Sequence, residues 1–307
     1  MSTVSEAPPQ STRLAVLIPF GIVTLVWGST WIVITGQLAS VPASWSVSYR
    51  FLVAGIAMLA FALWKRERLL FDARGWGFAI LLGLSQFCLN FNFVYRAEIY
   101  ITSGLVAVVF SLLLVPNALF GRIFLGQKLG RQLLVGSAVA IGGVALLFVH
   151  EAHRGLAGTG ALLTGIGFTL AAVLSASVAN VMQATNTAKA YPMIAMLAVS
   201  MLIGAAMNAG FAWVTTGPPQ FDTRFVYWGG VLYLGIVASA IAFPLYFGVL
   251  RTIGPAKAAY SGVLVPVIAM LFSTVFESYR WSTLAIAGAA LAMVGLVIAL
   301  RARRPNR

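Results

Sequence analysis

Apolar residues run through this chain in long blocks rather than in short alternations. Bounding each block by charge, Gly/Pro or polar clusters predicts ten helical spans, at residues 14–35, 43–64, 75–95, 100–123, 132–149, 158–183, 192–215, 225–247, 255–276 and 282–300. Each approaches the roughly 20 residues that cross a hydrocarbon core about 30 Å thick. Little chain is left for a soluble domain. The Ser/Pro/Gln-rich head, residues 1–13, reads as a disordered tail. The apolar run after it is too long and too lightly flanked by basic charge for a cleaved signal peptide, so it reads as a retained first helix.

The pattern also repeats. A shift of 150 residues superposes Pro42 on Pro192 and Pro116 on Pro266, and lays the third span on the eighth. With two more residues of shift, Gly136 and Gly143 fall on Gly288 and Gly295. Ten spans thus divide into a first repeat at 14–150 and a second at 158–300, followed by a basic tail at 301–307. Because five is odd, the second copy enters the membrane upside down. The expected fold is an all-α membrane protein of two inverted five-helix repeats, with a substrate site near the midplane between them. The small residues Gly136, Ala140 and Gly143, and Gly288, Ala292 and Gly295, recur at spacings that allow close helix packing, within the chain or in a dimer.

Composition agrees with this reading: 60% of the 307 residues are hydrophobic, only 9% are charged, and the mean hydropathy is +0.94. The net charge of +13 would suggest nucleic acid in a soluble protein, but its placement gives another cause. With both termini cytoplasmic, 15 of the 20 Lys/Arg fall on the cytoplasmic side, four on the other, and Arg50 lies inside the second span. That asymmetry is the positive-inside rule, and it argues against a nucleic-acid partner. Trp45, Trp64, Trp76, Trp213, Trp228 and Trp281 lie near span ends, as interfacial indoles do, whereas Trp27 and Trp31 lie deep in the first span. A single cysteine, Cys88, excludes an internal disulfide and a multi-cysteine metal site.

Several residues now carry a resemblance: Trp27-Gly28-Ser29-Thr30-Trp31 in the first span, Arg50-Phe51 in the second, Pro116 followed after eleven residues by Gln127, Pro266 followed at the same distance by Glu277, and the paired glycines closing each repeat. Over residues 14–300 the chain resembles the drug/metabolite transporter superfamily, in particular the ten-helix EamA-type exporters, and among them it looks most like the aromatic amino-acid exporter branch. Gln127 departs from the Glu common in the family. The resemblance implies a bacterial inner-membrane exporter of small metabolites, with a central cavity lined chiefly by helices 1, 3, 4, 6, 8 and 9.

Trp27 and Trp31 share a helix face and either stack on an aromatic substrate or pack against neighbouring helices. Gln86, Asn90 and Phe93 recur at three to four residues on the third span, and amides unsatisfied in lipid are costly, so this face points inward. Tyr100 and Ser103 are candidates for the extracytoplasmic mouth, with Tyr95 an interfacial anchor. In the second half the inward candidates are Ser175, Ser177 and Asn180, then Ser239 and Tyr246, then Tyr260 and Ser261; Asn180 matches Thr30 under the shift. Hydroxyls in membrane helices often bond their own backbone, so part of this set is structural. The substrate-binding candidates are therefore Trp27, Trp31, Gln86, Asn90, Tyr100, Ser103, Asn180, Ser239, Tyr246 and Tyr260. Pro116 and Pro266 each remove an intrahelical hydrogen bond and are hinge candidates, or static kinks. Arg50 could attract a substrate carboxylate or pair with helix ends, and its family position favours the structural role.

Glu98 and Glu277 stand near span ends, and no Asp or Glu occupies a span centre. That favours facilitated or exchange transport over proton antiport. The reading is a monomeric carrier exporting small amphipathic metabolites, foremost aromatic and neutral amino acids, with the lipid bilayer as its surroundings and no cofactor, metal or catalytic residue. A proton-coupled drug or metabolite exporter is the alternative. An intramembrane enzyme is disfavoured, because His150 and His153 are three apart where a zinc hydrolase needs four and fall in a predicted loop. A channel is disfavoured because repeated broken-helix filters and charged rings are missing.

Overall fold

A computed structural model describes residues 10–154, 158–253 and 261–300. These residues build ten apolar helices. α1 spans Gln10–Leu38, α2 Ala43–Trp64, α3 Ala73–Ala97, α4 Ser103–Leu125 and α5 Arg131–Arg154. The second set comprises α6 at Gly158–Gln183, α7 at Met193–Thr216, α8 at Phe225–Thr252, α9 at Ser261–Phe276 and α10 at Thr283–Leu300. Eight are long and apolar enough to cross a membrane, and two shorter apolar helices follow at Leu264–Phe276 and Thr283–Ala299. The protein is an all-α, multi-pass membrane protein.

The helix ends follow from local chemistry. Pro42 and Pro192 immediately precede α2 and α7, where a fixed φ and a missing N–H cost nothing. The Asp72 carboxylate accepts from the Gly75 N–H at 2.8 Å and caps α3. Gly126 closes α4 in the left-handed region, at φ 66°.

Two helices are wound in the same irregular way. α3 contains a π-helical segment at Gly83–Asn90, and α8 contains one at Tyr233–Ile241, whose first residues are 233 − 83 = 150 apart. Wide turns leave backbone carbonyls poorly satisfied, and side chains repair them. Asn92 Nδ2 donates to the Cys88 carbonyl at 3.1 Å and Asn208 Nδ2 to the Phe87 carbonyl at 2.8 Å. In the other half, the Trp27 indole N–H donates to the Ala238 carbonyl at 3.1 Å and Ser239 Oγ to the Leu234 carbonyl at 2.7 Å.

Packing exchanges partners between the halves. α2 lies on α7, α5 lies on α10, the wide segment of α3 packs on α7 and that of α8 on α2. Glycine permits the close approaches. A Cβ on Gly83 would sit 2.8 Å from the Ser200 carbonyl oxygen, and one on Gly235 would sit 3.0 Å from that of Arg50. Ser200 and Arg50 are themselves 150 residues apart, so the repeat extends to contacts. Gly136 and Gly143 pack directly on the backbone of α10 at Ala299 and Ala292, and Gly295 packs on Ala140. The small-residue stripes therefore face each other within one chain.

Two expectations change. Trp45 is 4% exposed rather than interfacial, because the connection after α7 folds over it: its indole N–H donates to the Gly217 carbonyl at 3.3 Å. The His150–His153 stretch lies on the last turns of α5 rather than in a loop, since the apolar run before it carries the helix on to Arg154.

Candidate functional site

A cavity opens where the halves meet. Its volume of about 120 Å³, against roughly 10–15 Å³ for one water, makes it a chamber for a solute rather than a hydration site. α1 contributes Trp27, Thr30, Trp31 and Ile34, and the wide segment of α3 contributes Gln86 and Asn90, followed by Phe91 and Val94. Asn180 comes from α6, Phe243 and Tyr246 from α8, and Val265 and Pro266 from α9. α4 lines the chamber around its 3₁₀ segment Ser111–Leu113, one turn before Pro116.

Of the residues singled out in the sequence, Trp27, Trp31, Gln86, Asn90, Asn180, Tyr246 and Pro266 meet in this cavity. Others stand elsewhere. Ser239 lies one layer behind the wall and accepts from Arg50 Nε at 3.1 Å. Tyr100 is 37% exposed and stacks on Phe168, with ring centroids 6.0 Å apart. Ser103 donates to Glu277 Oε2 at 2.6 Å. Pro116 is buried within α4, while Tyr260 lies outside the described residues. Phe93 stacks on Phe168 instead of joining Gln86 and Asn90, because the wide turn shifts the helix phase and brings Phe91 to the cavity face.

The aromatic wall is ordered by its own contacts. The Trp27 ring lies 4.9 Å from Tyr246 and 5.4 Å from Phe243, and its N–H is tied to Ala238. Trp31 lies edge-on to Phe110 at 5.8 Å, and its indole N–H is buried without a partner among the described residues. Asn180 Nδ2 faces Asn117 Oδ1 at 3.5 Å. Asn90 Oδ1, in the wall, and Asn117 Nδ2, behind Asn180, are likewise buried with no partner among the described residues.

Arg50 borders the wall as well, although its family position is peripheral to the cavity. It is 1% exposed, and its guanidinium sits 4.3 Å from the Phe91 ring centroid and 5.3 Å from that of Phe51.

At one end of the bundle, Thr35 joins two carboxylates that the sequence keeps far apart. Its hydroxyl contacts Glu98 Oε2 at 2.8 Å and Glu277 Oε1 at 3.4 Å, and the Ser103 N–H donates to Glu277 Oε1 at 3.2 Å. Burial pushes the Glu98 carboxyl well above the usual carboxylate range; the Thr35 hydrogen bond opposes the shift and the nearby charge of Glu277 adds to it.

This architecture can be set beside known proteins. The pattern of the EamA-like transporter family matches residues 16–149 and matches again at 163–301, as the repeat requires. The chain belongs to the EamA-like transporter family. It is a transporter and not an enzyme. It is 31% identical over 254 residues, 81% of this chain and 79% of the other, to the uncharacterized inner membrane transporter YedA of Escherichia coli strain K12. It is 26% identical over 302 residues, 93% of this chain and 96% of the other, to a probable amino-acid metabolite efflux pump of Salmonella typhimurium. A solved crystal structure shares the fold of this EamA-like chain, with a TM-score of 0.70 at 20% identity, covering 94% of this chain and 96% of that one.

Proposed function

We propose that this EamA-like transporter is a monomeric inner-membrane carrier exporting small amphipathic metabolites, foremost aromatic and neutral amino acids, by alternating access. The observation that carries this reading is the cavity itself. Rings from Trp27, Trp31, Phe243 and Tyr246 surround the amides of Gln86, Asn90 and Asn180 at the junction of the repeats. Such a lining suits a solute with an apolar body and a polar head. The Salmonella relative, a probable amino-acid metabolite efflux pump, supports the same substrate class.

With five helices per repeat, the halves run oppositely through the membrane, and rocking one against the other exposes the cavity to each side in turn. Pro116 and Pro266 are the proposed hinges. The proposed domains are the repeats 14–150 and 158–300 with their short tails, and both termini are cytoplasmic. The Glu98–Thr35–Glu277 cluster then lies at the extracytoplasmic end. Because the cavity wall holds no carboxylate among the described residues, transport is proposed to be facilitative or an exchange. The buried Glu98 favours a second reading, proton-coupled export. Purified protein in liposomes, tested by counterflow with a panel of amino acids with and without a pH gradient, decides between them. Saturable exchange of Phe, Trp, Tyr, Met or Thr that ignores the gradient is expected; accumulation driven by the gradient would favour the second reading, and no flux of any panel member would sink the substrate class.

A further inference from the structure

Arg50 is a buried cation. Its Nε is satisfied by Ser239 at 3.1 Å, whereas Nη1 is buried with no hydrogen-bond partner among the described residues. No carboxylate among the described residues forms an ion pair with it, and the acidic groups that feel its charge are Tyr95, Glu98 and Tyr233. Tyr95 donates its hydroxyl proton to Gln37 Oε1 at 3.0 Å, Ser29 and Tyr233 share a 2.6 Å hydrogen bond, and Glu98 accepts from Thr35 at 2.8 Å. Phe91 and Phe51 offer their ring faces, which orients the guanidinium but leaves its charge unbalanced. Desolvating a guanidinium in this way is costly unless an anion completes the site.

Arg50 and the Phe91 ring that covers it both border the cavity, whose remaining lining is aliphatic, aromatic, amide or hydroxyl and holds no carboxylate among the described residues. We propose that Arg50 is the carboxylate anchor of the cavity, so that this transporter selects solutes carrying a carboxylate at the polar end of an apolar body. The inference rests on the proposed cavity and goes further by naming the group that is read. A planar guanidinium pairs with a carboxylate through charge-assisted hydrogen bonds, while Trp27, Trp31 and Tyr246 hold the apolar part. Ser239 is a positioning residue here: it fixes Nε, and its own proton goes to the Leu234 carbonyl at 2.7 Å, so its oxygen can only accept from Arg50.

The test uses the full-length protein in detergent and four probes of one size: L-phenylalanine, 3-phenylpropionate, L-phenylalaninamide and phenethylamine. Binding is read by the change in protein fluorescence, and counterflow in liposomes is measured alongside. The two acids are expected to bind about 10- to 100-fold more tightly than the amide and the amine. In Arg50→Gln that ratio is expected to fall to near one, and Arg50→Lys to restore part of it. Equal binding of acids and non-acids by the wild-type protein would overturn the proposal whether or not the variants fold, as would an unchanged ratio in a folded Arg50→Gln. Absence of all four probes from the cavity would overturn the anchor and the proposed substrate class together. Preference for acids without export of any amino acid would keep the anchor and remove the amino-acid reading.

Discussion

The indole N–H of Trp31 points from a 7% exposed side chain to no protein partner, while Trp27, one turn away, spends its N–H on the Ala238 carbonyl. Two residues with the same sequence signal therefore differ in role. Trp27 pins α1 to the wide segment of α8, whereas the Trp31 donor stays unpaired at the cavity wall among the described residues. Replacing Trp31 by Phe retains most of the ring and removes the donor, so substrate should bind about 2- to 10-fold more weakly at unchanged thermal stability. Trp27→Phe should lower stability instead, since it orphans a buried carbonyl. Melting curves and binding isotherms on the two variants check this, and a stability loss in Trp31→Phe with none in Trp27→Phe would reverse the assignment. The sequence placed both rings deep in the first helix, but it could not tell them apart, because the Ala238 carbonyl is 211 residues away.

Among the helices, the Glu98–Thr35–Glu277 cluster ties the ends of α1, α3 and α9 and, through Ser103, the start of α4. The proposed alternating access requires such a junction to open. While it is closed, Glu98 is 8% exposed, and burial together with the nearby Glu277 holds its carboxyl well above the usual carboxylate range, against the opposing pull of Thr35 and Arg50. Once open to water it should return to an ordinary value of about 4.3. The closed state then binds more protons, so closure is strongest below about pH 4 and weakens as pH rises from there through the raised value. Counterflow should consequently vary with pH on that side of the membrane, and Glu98→Gln, neutral at every pH, should flatten the profile while keeping an acceptor for Thr35. A profile unchanged by the substitution would show that Glu98 does not govern the junction. The sequence located both carboxylates at helix ends and stopped there. Residues 63 and 242 positions from Thr35 can be joined only by the fold. Likewise, a regular 3.6-residue period put Phe93 beside Gln86 and Asn90, and the wide turn at Gly83–Asn90 put Phe91 there instead.

For the whole molecule, ten helices and the 15-to-4 division of basic residues predict that both termini lie on one side of the membrane, the cytoplasmic one. Reporter tags fused to each end should both be inaccessible to probes outside intact cells, and a tag exposed at either end would break the five-plus-five topology. The number of spans, the repeat and the glycine stripes of α5 and α10 as close-packing faces could be read from the sequence; that the two stripes meet each other came from the fold. Each is a property of local composition and spacing, because a bilayer demands apolar length and close packing demands small residues. Tertiary structure decided the chemistry of the cavity. A polar side chain inside a membrane helix must find a partner, and the sequence does not say whether that partner is a backbone carbonyl, a neighbouring helix or a solute. Folding consumed Ser103 and Ser239 in bonds to the protein and left the Trp31 indole N–H and Arg50 Nη1 without partners among the described residues, at the cavity wall proposed to receive the cargo.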